Sequence, residues 1–230
     1  MLPHCARQGT DVTGHGFVEL DATFLNHIVG LETALTVPAE PPLHGTLFLW
    51  PGLQPALWGE GYEPIGNGVL QPVLAWGTSC APGQQPATYS TWWISGQYFD
   101  DTGQDPAHHG CYGGPIMPAA VGESLHLTLT LSGTVWTQTV VGNGGQVPPS
   151  VSFDEDLVGQ SQNRALFVIE GYSCEPVSDV VFTDTTITFD SPDLADCSVV
   201  QRGVDDFVST PEPSSDGTRC FIKTIILRPQ

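Results

Sequence analysis

Residues 125–131 read Leu-His-Leu-Thr-Leu-Thr-Leu, a strict alternation of apolar and polar side chains. Successive side chains of a β-strand point to opposite faces, so this spacing puts the leucines on one face and the polar residues on the other. The stretch is therefore predicted as a half-buried β-strand. It also indicates the fold class, because such a strand needs a second layer of structure to cover its leucines.

Strand-like segments recur on both sides of this stretch, and no segment has the periodicity of a long helix. They are short and are separated by breaks that contain Gly and Pro. This pattern predicts an all-β chain, an antiparallel double-sheet β-sandwich or jelly roll, with residues 1–230 forming one domain. The other predicted strands are residues 31–37, 45–50, 68–76, 89–99, 135–141, 151–157, 165–170, 180–190 and 220–227.

The chain carries a formal net charge of −19 at neutral pH. Nucleic-acid binding requires a basic surface that displaces counterions, and an anionic membrane also attracts basic surfaces, so we expect neither partner. No apolar run approaches the ~20 residues that a membrane-spanning helix needs. The many carboxylates suit an acid working environment, in which they become neutral, and equally suit an ordinary solvated surface.

Six cysteines are spread along the chain without a closely spaced pair. Metal sites and redox motifs use close spacing, so we predict three disulfide bonds and a secreted, extracellular protein. Spacing does not determine the connectivity. The pair Cys80–Cys111 is favoured because it would enclose the Asp- and His-rich segment between them. The first residues lack an apolar signal-peptide core, so a signal peptide has been removed or never existed.

Two polar clusters could carry chemistry, and an ordinary surface role is favoured for both. The Asp-rich segment ending in His108 and His109 lacks the spacing of a calcium loop, so no metal site is predicted. Glu19 and Asp21 share one face of a predicted strand, as the acids of some glucanases do, but the third acid expected after them is missing. No motif of a serine hydrolase, zinc protease, P-loop or dinucleotide site occurs, and no cofactor is expected.

A series of short segments resembles, in the same order, the glutamic peptidases or eqolisins, which are secreted acid endopeptidases with a concanavalin A-like jelly roll. Residues 69–71, Val-Leu-Gln, are similar to the segment of that family's catalytic glutamine. Residues 163–170, Asn-Arg-Ala-Leu-Phe-Val-Ile-Glu, are similar to the segment of its catalytic glutamate. The further matching segments are residues 32–38, 49–52, 89–93, 118–131 and 181–184. The resemblance divides the domain into an N-terminal extension (1–30), a core (31–190) and a C-terminal loop with a final strand (191–230).

The resemblance implies a catalytic pair, Gln71 and Glu170. Glu170 would act as general base, taking a proton from water and returning it to the leaving amine. The neutral amide of Gln71 would donate hydrogen bonds to the developing oxyanion. The tryptophans Trp50, Trp92 and Trp93 would line the substrate-binding cleft.

Three positions depart from the family's pattern by replacing a carboxylate, namely Gln54, Ile94 and Leu166. We expect these residues to line the substrate site and to give it an apolar character. The substrate is expected to be a polypeptide or a glycan in an open groove, and the protein is expected to be a monomer.

Two other functions stay open at this point. One is a lectin-like carbohydrate-binding module that uses exposed tryptophans. The other is a carbohydrate-active hydrolase or lyase on the same fold, which needs a second acid or base beside Glu170. His126 and Tyr98 are the nearest candidates for that partner.

Overall fold

The computed structural model describes residues 16–23, 26–41, 45–55, 68–79, 90–100, 106–145, 149–172, 178–198 and 201–229. Strands account for most of these residues, and the helical part is a 3-10 turn at Leu194–Asp196. The strands are β1 (Phe17–Asp21), β2 (Ile28–Thr36), β3 (Thr46–Gln54), β4 (Val69–Trp76), β5 (Trp92–Asp100), β6 (Gly110–Gly113), β7 (Met117–Ala119), β8 (Ser124–Ser132), β9 (Val135–Gly142), β10 (Ser150–Asp156), β11 (Arg164–Tyr172), β12 (Val180–Phe189), β13 (Gln201–Arg202), β14 (Phe207–Val208), β15 (Glu212–Pro213) and β16 (Arg219–Leu227).

Within the described residues, the strands form two antiparallel sheets. Sheet A has the order β13-β1-β11-β3-β4-β5-β6, with β7 also paired to β5. Sheet B has the order β10-β9-β8-β2-β12-β16-β14, with β15 also paired to β16. The two sheets pack against each other, which confirms the predicted all-β antiparallel sandwich.

The alternation in β8 shows how the sequence produces this packing. Leu125, Leu127 and Leu129 are fully buried, whereas His126 and Thr130, which point to the other side of the strand, are exposed. Burying one such leucine stabilises the fold by roughly 1.5–3 kcal/mol relative to leaving it exposed. The remainder of the inter-sheet core is also apolar, and its largest side chains are Trp76, Trp92, Trp136, Tyr98, Phe167 and Phe182.

Strand β3 runs further than the sequence predicts, through Pro51 and Gly52 to Gln54. Proline lacks the N–H that a central strand donates to its neighbour, which is why a strand end was expected there. The structure accommodates Pro51 because the paired positions of β3 and β4 are interrupted between Leu49 and Leu53. Pairing with β11 continues without a break across the same residues.

The predicted terminal segments also contribute strands. β1 lies within the predicted N-terminal extension and pairs with β11, so this part of the extension belongs to sheet A. β13 to β15 lie in the predicted C-terminal loop and pair with β1 or β16.

Two disulfide cysteines anchor the C-terminal region. Cys197 and Cys220 are bonded to each other, and Cys220 lies near the start of β16, as the sequence predicted for that strand. Cys111 is also disulfide-bonded, but its predicted partner Cys80 lies outside the described residues. In the part of the chain that the structure describes, no helix is long and apolar enough to cross a membrane.

Candidate active site

The polar residues that the sequence singled out lie on the face of sheet A that points away from sheet B. In β11, Ile169 is fully buried in the inter-sheet core, so Glu170 points outward. In β4, Leu70 is fully buried in the same core, so Gln71 also points outward. We call this side the outer face of sheet A. Its central residues are Phe48, Trp50, Gly52, Gln54, Val69, Gln71, Val73, Ala75, Trp93, Ser95, Gln97, Arg164, Leu166, Val168, Glu170 and Tyr172.

The outer face is covered over β5 and partly open over β3, β4 and β11. Trp93 and Gln97 of β5 are almost fully buried. The chain after β4 covers them: the Trp93 indole N–H donates to the Gly77 carbonyl at 2.8 Å, and the Ser79 hydroxyl donates to the Gln97 side-chain oxygen at 2.9 Å. Most outward side chains of β3 and β11 are only half-buried. A substrate therefore has access to the region over β3 and β11.

Glu170 lies in this open region, and two donors hold its carboxylate. The Trp50 indole N–H donates to Oε2 at 3.4 Å, and the Tyr172 hydroxyl donates to Oε1. The ring of Tyr172 contacts Phe48 edge-on, with centroids 6.0 Å apart. Hydrogen bonds to an ionised acceptor are stronger than those between neutral groups, so these contacts orient the carboxylate.

Gly52 leaves space for the Trp50 ring next to Glu170. A Cβ atom at Gly52 would lie 3.0 Å from Cζ3 of Trp50, 3.0 Å from Cγ1 of Val69 and 3.0 Å from the Leu70 carbonyl oxygen. The indole therefore extends from its N–H at Glu170 to its six-membered ring at Gly52. It forms the floor of the outer face between these two positions.

Gln71 shares the outer face with Glu170 but is not opposite it. Glu170 pairs with Phe48 of β3, and Phe48 pairs with Ala75 of β4, four residues further along β4 than Gln71. Four residues at about 3.3 Å and two strand spacings at about 4.8 Å put the two Cα atoms roughly 16 Å apart. In the part of the chain that the structure describes, no hydrogen bond joins the two side chains.

The other predicted site residues divide between the two faces of sheet A. The outer face carries Trp50, Trp93, Gln54 and Leu166. Trp92 and Ile94 are at most 1% exposed and belong to the inter-sheet core. Neighbours in a strand point in opposite directions, so Trp92 and Trp93 cannot line the same cleft.

An ionic cluster occupies the outer face beside Leu166. Arg164 binds Asp21 through two hydrogen bonds of 2.7 and 2.9 Å, and Glu19 lies 3.1 Å from the same guanidinium. Burial raises the pKa of Glu19 above its ordinary value, although Arg164 acts in the opposite direction. The hydrogen bond with Asp21 raises the pKa of Arg164, so this side chain stays charged.

The partners predicted for a carbohydrate-active enzyme are not beside Glu170. His126 lies on the outer side of sheet B, where it contacts Glu32 at 3.2 Å. Tyr98 is fully buried in the inter-sheet core. Alternation in β8 and β5 explains both positions, because each residue points away from the outer face of sheet A. The prediction that one of them assists Glu170 was therefore wrong.

The Asp- and His-rich segment shows no metal centre in its described part. His108 is buried, and its Nε2 atom lies 2.9 Å from a backbone carbonyl of β10. No group of three or more potential metal ligands occurs among the described residues.

Tyr172 is the residue of this site that sequence reasoning missed. The predicted strand ended at Glu170, whereas β11 continues to Tyr172. The signal was present, because Leu166, Val168 and Glu170 alternate along the strand and the next position in the series is Tyr172.

By fold and site, the chain is an antiparallel β-sandwich that carries an oriented carboxylate on the open part of one sheet. No family model matches the chain, and no curated protein matches it. Among solved structures, the structure of this chain is similar to the structure of SCP-B. SCP-B is described as a member of the eqolisin family of peptidases, in a complex with the tripeptide Ala-Ile-His. The identity is 16%, the TM-score is 0.49, and the match covers 93% of this chain and 99% of that chain. This likeness concerns the fold, and the two-sheet architecture of the present chain follows from its own strand pairing.

Proposed function

We propose that this chain is a secreted acid hydrolase of polypeptides in which Glu170 is the general base. The observation that carries the proposal is the Glu170 carboxylate itself, which is half-buried on an accessible face and held by Trp50 and Tyr172. In the described part of the chain it has no cationic partner, so it is not committed to an ion pair.

The chemistry needs one group that moves a proton and at least one donor that stabilises negative charge. Glu170 takes a proton from water while the water oxygen bonds to the carbonyl carbon of the substrate. The tetrahedral oxyanion accepts a hydrogen bond from a neutral donor on the same face. The C–N bond then breaks, and Glu170 returns the proton to the leaving amine.

A polypeptide suits the outer face better than a glycan does. The half-buried outward side chains next to Glu170 include Phe48, Leu166 and Val168, which pack on the buried cluster around Trp50 and fit apolar side chains of an unfolded chain. The described tryptophans are at most 7% exposed, so they do not offer the open stacking surface on which sugar-binding modules rely.

The test is cleavage of an unfolded protein by the wild type and by Glu170→Gln across roughly pH 3–7, a range that spans the ordinary pKa of a carboxyl group. General acid–base catalysis contributes about 10²- to 10⁴-fold, so Glu170→Gln is expected to lose at least 10²-fold. Glu32→Gln is the matched control, because Glu32 is an exposed glutamate on sheet B. A fully active Glu170→Gln variant, or a wild type that cleaves no substrate at any pH in this range, would refute the proposed function.

A further inference from the structure

The position of Tyr172 indicates separate roles for Tyr172 and Gln71 that the sequence did not predict. We propose that the Tyr172 hydroxyl is the oxyanion donor of the Glu170 site. Gln71 then binds the substrate main chain several residues away from the cleaved bond. This inference rests on the proposed function of Glu170 and assigns Gln71 a different role from the one the resemblance implied.

Distance is the first argument. The Cα atoms of Gln71 and Glu170 are roughly 16 Å apart, and an oxyanion donor must lie about 3 Å from the oxyanion while the base contacts the attacking water. Both side chains would have to extend fully toward each other to serve one carbonyl group. Glu170 instead directs Oε1 to Tyr172, which lies further along β11 and away from Gln71.

Tyr172 meets the geometric requirement. It is two residues from Glu170 on the same side of β11, and its hydroxyl already contacts the carboxylate. The edge-on contact with Phe48 holds the ring in place, so little reorganisation is needed when a substrate arrives.

The exchange of hydrogen bonds on substrate binding is simple. The carbonyl oxygen of the substrate replaces Oε1 of Glu170 as the acceptor of the Tyr172 hydroxyl. Oε1 is then free to accept the proton of the attacking water. As the water oxygen bonds to carbon, the carbonyl π electrons move to oxygen, and the Tyr172 hydrogen bond stabilises that charge. Tyr172 keeps its proton throughout, and the proton taken by Glu170 leaves with the amine.

Gln71 is placed to bind the same substrate at a distance. An extended peptide covers about 3.3 Å per residue, so the interval of roughly 16 Å corresponds to about five residues. The half-buried side chains of Val168 and Leu166, which pack on Trp50, lie between the two positions and give the peptide an apolar floor. The substrate class is therefore an extended peptide of at least about five residues with apolar side chains over Val168 and Leu166.

The test compares Tyr172→Phe with Gln71→Ala on one peptide series lengthened by one residue at a time on either side of the cleaved bond. Tyr172→Phe keeps the ring that contacts Phe48 and is expected to lower kcat about 100-fold or more at every length, with KM nearly unchanged. Gln71→Ala is expected to raise KM roughly 3- to 10-fold, only for peptides longer than about five residues, with kcat nearly unchanged.

The reverse pattern would overturn the inference, with Gln71→Ala losing kcat on all peptides and Tyr172→Phe retaining it. Such a result would leave the proposed function of Glu170 intact, because that function fails only if Glu170→Gln stays active or the wild type is inactive. Thermal unfolding of both variants shows whether they are folded. Binding provides a second measurement: a peptide with a tetrahedral hydroxyl-bearing carbon in place of the cleaved amide should lose affinity on Tyr172→Phe, and an unchanged affinity contradicts the inference.

Discussion

Replacing Gly52 by alanine tests whether the position of the Trp50 ring, which forms the floor of the site, depends on the absence of a side chain at residue 52. The new Cβ atom would lie 3.0 Å from the Leu70 carbonyl oxygen, 3.0 Å from Val69 Cγ1 and 3.0 Å from Trp50 Cζ3. The carbonyl belongs to the backbone of β4 and cannot move cheaply, so the side chains of Trp50 and Val69 have to shift as the new Cβ atom moves away from it. Overpacking of this kind costs about 1–3 kcal/mol of unfolding free energy. For a chain of this length, that lowers Tm by roughly 2–12 °C.

The shift should also affect Glu170, because the Trp50 indole N–H donates to it at 3.4 Å, close to the limit of a hydrogen bond. The assay is thermal and denaturant unfolding of Gly52→Ala, followed by its peptide cleavage. Gly30→Ala in β2 is the matched control, because a Cβ atom there has its nearest neighbours at 3.6 Å, an ordinary contact distance. We expect the control to change stability by less than about 1 kcal/mol. If Gly52→Ala is as stable as the control and equally active, the packing argument for Trp50 is wrong.

Two further predictions concern stability. Burial raises the folded-state pKa of Glu19 above its ordinary value. Glu19 therefore contributes favourably to the free energy of unfolding below that ordinary value, and this contribution is lost as pH rises through the raised pKa. Glu19→Gln should therefore be more stable than the wild type at neutral pH, although it loses the contact with Arg164, and as stable as the wild type well below pH 4.5. Urea unfolding at both pH values measures the difference. A variant that is less stable than the wild type at neutral pH refutes the prediction. The Cys197–Cys220 bond joins residues 23 apart in sequence. Replacing both cysteines by alanine should lower the free energy of unfolding by about 3 kcal/mol in the same assay under oxidising conditions. An unchanged free energy of unfolding would show that this bond does not constrain the unfolded chain.

The fold was predictable because alternation is a local property of the sequence. Residues 125–131 predicted which leucines of β8 are buried, and the same rule separated the two faces of the other strands. Strand ends were harder to predict, as Pro51 shows. A proline was expected to end β3, but whether it does depends on the neighbouring strand, and β4 is not paired with β3 at that point.

The arrangement of the candidate site was less predictable, because it depends on register between strands that are far apart in sequence. Alternation puts Gln71 and Glu170 on one face of a sheet if β4 and β11 both belong to it. It does not say which residues of β3 lie between them, and the pairing through Phe48 and Ala75 sets the offset of four residues. The order of strands in the sheet, which brings β11 beside β3, is likewise a tertiary property.

Strand register also places carboxylates of β1 beside two positions, Leu166 and Gln54, at which the resemblance led us to expect an acid. Leu166 pairs directly with Glu19 of β1, so an acid is present on the neighbouring strand of the same row. Gln54 pairs with Arg164, which Asp21 of β1 binds from the other side.

These two acids share one guanidinium, so they differ in kind from Glu170, which is held by neutral donors. Protonation of Asp21 would weaken its two hydrogen bonds with Arg164, whereas burial raises the pKa of Glu19 and favours its protonated form. Glu170, which is held by an indole N–H and a phenol hydroxyl, loses no ion pair in the described part of the chain when it is protonated. The outer face of sheet A therefore keeps its acidic character through β1, and Glu170 is the acid on this face for which we propose proton transfer.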